Sequence, residues 1–290
     1  MAYVALMDAR SIAATAINGG RLTAATELDL PEEKQYTYHY DPTIYGNRVY
    51  EGWGKADPNV ELVFGPNIAD WPEQIALPEN LVMKVASAIY DPVTTTDELI
   101  PSGETSSYRS NPLKLSEFAL SRKDPKYVGR AKAAKALELT RRGGEISEEA
   151  AELLKIAGCD AENTGIGSLV FALRPGDGSA REQAASCQRV LGGCANIAAE
   201  YATKRYRSNV VNWGMLPFIL EGAAESGIKA DDIVVVKGIR TALENEQYDS
   251  IPATIISGGA EKPVTLSLPR MTADERDIIL AGCLINYYAK

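Results

Sequence analysis

The most constraining feature of the sequence is an apolar run that ends in a glycine turn and continues as an amphipathic helix. Residues 168–173, SLVFAL, have the composition of a buried strand, and RPGDGSAREQAASCQRVLGG follows directly. A strand, a tight glycine turn and a helix in succession present a helix N-terminus to an anion. Further apolar runs predict strands at 81–90, 233–238, 253–257 and 264–268. The pattern alone predicts an α/β or α+β domain.

Composition limits the class of ligand. The chain has 290 residues, 45% apolar and 24% charged, enough to bury a sizeable core. Its net charge of -9 argues against a whole-chain electrostatic surface for nucleic acid or an anionic membrane. No apolar stretch is long enough to span a bilayer, and MAYVALMDAR does not resemble a signal peptide. We expect a soluble, cytoplasmic protein that binds any anion through a local cluster.

The chain divides by composition into three parts. Residues 3–20 are Ala-rich with helical spacing and end in a glycine pair. Residues 30–80 are rich in Pro, Gly, Tyr and Asn, which predicts an extended connector. The compact part begins near residue 81, and within it we predict helices at 129–142 and 146–157. Thr272 and Glu275 form a capping-box pair ahead of a closing helix.

The glycine turn at 176–182, GDGSARE, carries the strongest chemical signal. Its two glycines let the backbone approach a ligand, Ser179 falls at the predicted helix cap, and Arg181 lies in the first turn. Hydroxyl, guanidinium and N–H groups that converge in this way favour a carboxylate or phosphate. The alternative is structural: Ser179 only caps the helix, and Arg181 pairs with a nearby carboxylate.

A second segment places one acidic and one basic side chain on irregular backbone. Thr94, Thr95, Thr96 and Asp97 precede a Ser- and Gly-rich loop, and Arg109 follows it. Such a loop is consistent with a binding site, but it is equally consistent with a solvated surface.

The cysteines and the single histidine give little catalytic signal. The four cysteines, at 159, 187, 194 and 283, form no C-x-x-C pair, so neither a zinc ribbon nor a cluster-binding loop is encoded. We expect reduced, mostly buried thiols. His39 lies in the polar, aromatic run YTYHYDPTIYG, which is typical of an irregular surface segment rather than of a catalytic triad.

Together the two candidate segments resemble the swivel domain of the aconitase family. That domain carries T-T-D-x-I, a Gly six residues after the Asp and an Arg twelve after it, and this chain has TTDEL at 95–99, Gly103 and Arg109. The family's G-x-G-S-S-R-E-H is matched by GDGSAREQ at 176–183. Its A-L-E-P-R-x-L-G-G-x-A-I-I resembles ASCQRVLGGCANI at 185–197, and its N-x-x-x-x-G-L-L-P-L resembles the segment from Asn209 to Phe218.

The match has two departures, and it extends toward both ends of the chain. Ala180 replaces the second Ser of the motif, and Gln183 replaces its His, which affects substrate identity more than reaction class. Residues 3–29 resemble the closing helix of the family's preceding domain, and GPNI at 65–68 resembles its interdomain linker. The resemblance therefore implies a terminal segment of the preceding domain at 1–30, an extended linker at 31–80 and a swivel domain at 81–290. The resemblance thus implies a truncated chain, slightly favoured, or one subunit of a split enzyme.

The resemblance implies a three-layer β/β/α swivelling domain within a hydro-lyase for a hydroxy di- or tricarboxylic acid. Ser179 matches the catalytic base, Arg109 and Arg181 would grip substrate carboxylates, and Asp97 and Ala180 would also line the site. A 4Fe-4S cluster is implied for the complete enzyme, with its ligands in partner domains outside this chain, which alone would be inactive. The alternative is a non-catalytic carboxylate-binding or regulatory (RNA-binding type) module. The acidic charge argues against RNA as a partner of this chain.

Overall fold

The computed structural model describes residues 4–29, 37–48, 52, 54–61 and 63–289. The chain forms two compact units, Met1–Glu61 and Leu62–Lys290. Parts of the predicted terminal segment (1–3 and 30) and of the predicted linker (31–36, 49–51, 53 and 62) lie outside the described residues. The domain boundaries at 30/31 and 80/81 therefore stay predictions.

The first unit contains short helices. They are α1 (Ala9–Ile17), a 3-10 turn (Ala25–Glu27) and α2 (Thr43–Arg48). Asp8 caps α1 by accepting hydrogen bonds from two backbone N–H groups, 2.9 and 3.1 Å away. The chain leaves the helix through Gly19 and Gly20, both at positive φ, as the glycine pair predicts. His39 is exposed and lies in no regular element, as predicted.

The second unit is built around a closed seven-stranded sheet. Two further short strands, β2 and β4, form a separate sheet. In chain order the strands are β1 (Asn80–Ile89), β2 (Thr94–Thr95), β3 (Thr164–Ala172), β4 (Pro175–Asp177), β5 (Gly193–Ala198), β6 (Leu216–Leu220), β7 (Ile233–Val236), β8 (Ile251–Ser257) and β9 (Ala260–Ser267). The closed sheet has the order β1-β3-β5-β6-β9-β8-β7, and β7 pairs with β1. Strands β1, β3, β5 and β6 are parallel neighbours, whereas β7, β8 and β9 pair antiparallel.

The central strand β3 shows how the sheet separates two cores. Leu169 and Phe171 lie in a cluster shared by the seven strands of the closed sheet, and Val170 and Ala172 lie in a second cluster under the helices. Successive side chains of a strand point to opposite faces, so a strand buried on both faces reads as a continuous apolar run. The apolar run SLVFAL at 168–173 is continuous because β3 is buried on both of its faces.

Helices pack around the closed sheet. They are α3 (Thr96–Leu99), α4 (Pro112–Ser116), α5 (Tyr127–Arg142), α6 (Glu148–Ala157), α7 (Arg181–Val190), α8 (Lys204–Asn212), α9 (Ile239–Glu244), α10 (Ala273–Ala281) and α11 (Leu284–Tyr288). The predicted helices at 129–142 and 146–157 are α5 and α6, and the predicted capping box at Thr272 and Glu275 begins α10. The α/β fold class is confirmed. None of the described helices has both the length and the apolar composition needed to cross a bilayer.

Helix α5 is fastened to the sheet by one buried carboxylate. Glu138 accepts a hydrogen bond from the backbone N–H of Ile166 in β3 at 2.8 Å, and it forms two hydrogen bonds with Arg141 at 2.6 and 2.8 Å. A buried carboxylate that is both paired and hydrogen-bonded avoids most of its desolvation cost. The region 117–162 thus contributes a covering layer of the fold.

Candidate active site

The two candidate segments, remote in sequence, meet in a small parallel sheet. Strand β2 pairs with β4, with Thr94 opposite Pro175 and Thr95 opposite Asp177. The backbone N–H of Thr94 also donates to the carbonyl of Arg174 at 3.0 Å. The segment that contains Asp97 therefore lies beside the turn that leads to Ser179.

Both glycines of the turn are required by close contacts. Gly176 has φ +96°, and a Cβ there would stand 2.3 Å from the ring of Tyr206. Gly178 has φ +133°, and a Cβ there would stand 2.2 Å from the Thr96 hydroxyl. Side chains other than glycine adopt these conformations rarely and would not fit here. The turn is thus held against α8 on one side and α3 on the other.

Ser179 does not cap the helix, so that expectation from the sequence is wrong. Helix α7 begins at Arg181, its N-cap residue is Ala180, and no side chain caps it. Because alanine has no oxygen to accept a hydrogen bond, the first-turn N–H groups of α7 remain available. Ser179 is exposed, and its hydroxyl has no hydrogen-bond partner among the described residues.

Arg181 is half-buried and unpaired. Its Nε is buried without a hydrogen-bond partner, and no carboxylate within the described part of the chain forms an ion pair with it. The predicted alternative, in which Arg181 pairs with a nearby carboxylate, is therefore wrong for the described residues. The unpaired guanidinium and the uncapped helix N-terminus place positive charge beside Ser179, although the acidic residues Asp177 and Glu182 are also exposed in this turn.

Asp97 is held by a partner that the sequence did not indicate. Its Oδ2 accepts a hydrogen bond from Arg122 Nη1 at 2.8 Å, and Arg122 also contacts Glu104. Both side chains are largely exposed. Arg122 lies 25 positions after Asp97 with no recognisable motif, so only the fold connects them.

Arg109 is exposed and, among the described residues, has no hydrogen-bond or ion-pair partner. Its neighbour Tyr108 stacks on Phe118 with 5.5 Å between ring centroids. Tyr108, Phe118 and Ala180 all pack against the same core cluster. The loop that carries Arg109 and the start of α7 thus pack against the same hydrophobic cluster.

The capping pair of α3 stabilises the segment before Asp97. Glu98 accepts hydrogen bonds from the N–H and hydroxyl of Thr95 at 2.8 and 3.0 Å and from Lys123 at 3.0 Å. Burial raises the pKa of the Glu98 carboxyl, but these hydrogen bonds and the positive charge of Lys123 outweigh it, so the pKa lies below its usual value. The ionised carboxylate is therefore the form that these hydrogen bonds favour.

Glu182, the residue after Arg181, is an unpredicted member of the site region. It accepts a hydrogen bond from Trp213 Nε1 at 2.8 Å, and Trp213 packs on Trp71 with 4.4 Å between ring centroids. Although the side chain reaches solvent, burial of the carboxyl raises its pKa. The position of Glu182 within GDGSAREQ at 176–183 was the one sequence signal that could have indicated it as a member of the site region.

Within the described residues, no group of three or more His, Cys, Asp or Glu side chains is arranged to hold a metal ion. The four cysteines are free, and Cys187 and Cys283 are buried. Burial also raises the pKa of the Cys187 thiol, which disfavours the thiolate that ligation requires. These residues do not fit a 4Fe-4S cluster.

The model of the aconitase C-terminal domain family matches residues 160–222. This part, less than a quarter of the 290 residues, is similar to that family. The matched segment contains the glycine turn, Ser179, Ala180 and Arg181, and the segment with Asp97 and Arg109 precedes it. The matched segment therefore includes the uncapped start of α7.

Two curated relatives bear the name putative mitochondrial aconitate hydratase. The protein from Emericella nidulans is 30% identical over 116 residues, and that from Aspergillus fumigatus is 32% identical over 119 residues. Each match covers 40% of this chain and 14% of the relative. The match thus spans a small part of the length of these relatives.

One solved structure with a similar chain is 3-isopropylmalate dehydratase from Methanocaldococcus jannaschii. It is 22% identical, with a TM-score of 0.44 over 72% of this chain and 93% of the other.

Proposed function

We propose that this chain is the substrate-binding and base-supplying part of an aconitase-type hydro-lyase that acts on a hydroxy di- or tricarboxylic acid. The observation that carries the proposal is the pairing of β2 with β4, which brings the segment of Asp97 to the turn of Ser179. The family match at 160–222 supports the reaction class.

Ser179 is proposed as the base. In such a dehydration, the base removes a proton from the carbon alpha to a carboxylate, so a C–H bond breaks and an O–H bond forms at Oγ. The electron pair of that C–H bond becomes the new carbon–carbon double bond, and the substrate hydroxyl leaves with its bonding electron pair as hydroxide, which takes a proton from solvent to become water. A serine alkoxide needs positive surroundings, and the uncapped N–H groups of α7 and the unpaired Arg181 are consistent with this need.

Arg109 and Arg181 are proposed to bind substrate carboxylates. Neither guanidinium has a hydrogen-bond or ion-pair partner among the described residues, so binding would not require breaking a protein ion pair. A guanidinium presents two parallel N–H groups that match the geometry of a carboxylate. Asp97, fixed by Arg122, would orient a polar group at the rim, and Ala180 removes one hydroxyl from the site.

We assign the cofactor to partner domains. The described cysteines do not fit a 4Fe-4S cluster, which supplies Lewis acidity in this family and would be held outside this chain. The chain alone should be inactive and lack the absorbance band at roughly 400 nm that arises from thiolate ligation of such a cluster. A brown, absorbing preparation of this chain would contradict the assignment.

The domain division and location are part of the same proposal. Residues 1–30 would close a preceding cluster-bearing domain, residues 31–80 would be a linker, and residues 81–290 would form the swivel domain of a cytoplasmic enzyme. The names of the two relatives include the word mitochondrial. Fractionation of the source cells tests the location: recovery of the protein in the cytosolic fraction supports the proposal, and recovery in mitochondria contradicts it.

The direct test is a hydratase assay of the complete enzyme. With the cluster-bearing partner and iron and sulfide verified by analysis, we expect turnover of at least one of citrate, isocitrate, methylcitrate, isopropylmalate and homocitrate. No turnover of any of them by a cluster-loaded preparation would favour the non-catalytic alternative. The chain without its partner is the matched control and should be inactive.

A further inference from the structure

We infer that Tyr206 is a positioning residue that holds both ends of the segment carrying Ser179 and Arg181. Its hydroxyl is bonded to α7 after these residues, and its ring supports the glycine turn before them. The catalytic consequence rests on the proposed function, whereas the structural consequence does not.

The hydroxyl of Tyr206 is the centre of a buried polar network. It accepts hydrogen bonds from Gln188 Nε2 at 2.9 Å and from Asn196 Nδ2 at 3.0 Å. Gln188 belongs to α7 and Asn196 to β5, and all three side chains are at most 2% exposed. Buried polar groups that are bonded in this way fix one arrangement, because each broken bond leaves an unpaired group.

The ring of Tyr206 supports the other end of the segment. A Cβ at Gly176 would stand 2.3 to 2.5 Å from three atoms of the Tyr206 side chain, so this backbone rests directly on it. The Thr203 hydroxyl, which caps α8, donates to the Gly176 carbonyl at 3.1 Å. The start of α8 and the turn therefore form one packed unit.

One side chain thus contacts the chain three residues before Ser179 and nine residues after it. Burial raises the pKa of Tyr206 to about 12, so the hydroxyl stays neutral and keeps accepting from two amides over the ordinary pH range. Gln188 and Asn196 stand where the family motif quoted above has Pro and Ile. The polar link to Tyr206 is therefore a feature of this chain's own sequence.

The test is Tyr206→Phe, which keeps the ring and deletes the hydroxyl. Amide hydrogen exchange in residues 184–187, the first hydrogen-bonded amides of α7, should become about three- to tenfold faster, because a lost hydrogen bond lowers the free energy of local opening. Exchange in β3 should stay unchanged. Tyr127→Phe is the matched control, because Tyr127 is also fully buried and its hydroxyl has no partner in the described part of the chain.

If Tyr206→Phe does not fold, Gln188→Met removes one donor to the same hydroxyl and should accelerate exchange in the same segment. Unchanged exchange at 184–187, or equal acceleration in β3, would overturn the positioning role. In the complete enzyme, Tyr206→Phe should lower kcat about tenfold with KM changed less than threefold, as expected when a base is misplaced. A parent enzyme without activity would refute the proposed function but leave the exchange result decisive for Tyr206.

Discussion

Gly178 and Thr96 are in direct contact, close enough that a Cβ on residue 178 would lie 2.2 Å from Thr96 Oγ1. The glycine belongs to the turn before Ser179, and the threonine belongs to the segment of Asp97. The contact allows β2 to pair with β4, so it is a condition for the proposed site to exist.

Gly178→Ala should therefore separate the two segments. We expect a loss of about 2 kcal/mol or more in unfolding free energy, because the substitution combines an unfavourable φ with a steric clash. Activity of the complete enzyme should fall with it. Denaturant unfolding at equilibrium measures the loss.

Gly144→Ala is the matched control, because Gly144 also has positive φ (+86°) but has open space around its Cβ position. It should lower the unfolding free energy by only about 1–2 kcal/mol, which is the energy of placing a residue with a Cβ in the left-handed conformation. Equal losses for the two variants would show that the contact with Thr96 contributes nothing.

Arg109→Lys should raise the KM of the complete enzyme by about tenfold or more, since a lysine cannot reproduce two parallel hydrogen bonds to a carboxylate. Steady-state kinetics with the best substrate measures the change. Arg270→Lys is the control, because Arg270 is likewise exposed and has no partner among the described residues. An unchanged KM for Arg109→Lys would remove Arg109 from the substrate site.

Glu182→Gln should raise thermal stability at pH 7 by a few degrees at most. Burial raises the carboxyl pKa in the folded state, so its favourable contribution exists at low pH and is lost as pH rises through the folded-state pKa. Glutamine does not ionise and can still accept from Trp213.

The gain should disappear near pH 4, where Glu182 is protonated in the parent. Thermal midpoints measured at several pH values test the direction of this pH dependence. Glu221→Gln is the control, because Glu221 is exposed. A midpoint that falls at pH 7 and recovers in acid would contradict it.

The sequence predicted those elements whose signals are local. The buried strand β3, the helices α5 and α6 and the capping box of α10 all arise from periodicity, propensity or a four-residue pattern. Strands β5 and β6 were not predicted as strands, because Asn196 and Pro217 interrupt apolar runs that only the completed sheet stabilises.

The site depends on relationships that no local pattern contains. The start of α7 was misplaced by one residue, since serine is the better N-cap by propensity and the geometry of the turn overrides it. The β2–β4 pairing, the Asp97–Arg122 ion pair and the Tyr206 network join residues distant in sequence. The glycine turn indicated Ser179 and Arg181, the polar loop indicated Arg109, and the family resemblance supplied the role expected of each.

The central claim is that Ser179 is a catalytic base. Because it caps nothing, Ser179→Ala should leave the unfolding free energy within about 0.5 kcal/mol of the parent. Loss of a general base should lower kcat by about 10²- to 10⁴-fold with substrate affinity nearly unchanged.

Ser147→Ala is the converse control, because Ser147 caps α6 by accepting from the N–H of Ala150 at 3.2 Å. It should cost about 1 kcal/mol in stability and leave kcat intact. The deciding measurement is kcat and thermal midpoint on one Ser179→Ala preparation of the complete enzyme. An unchanged midpoint with kcat reduced at least about 100-fold is the expected result, and kcat within about threefold of the parent would contradict the catalytic role of Ser179.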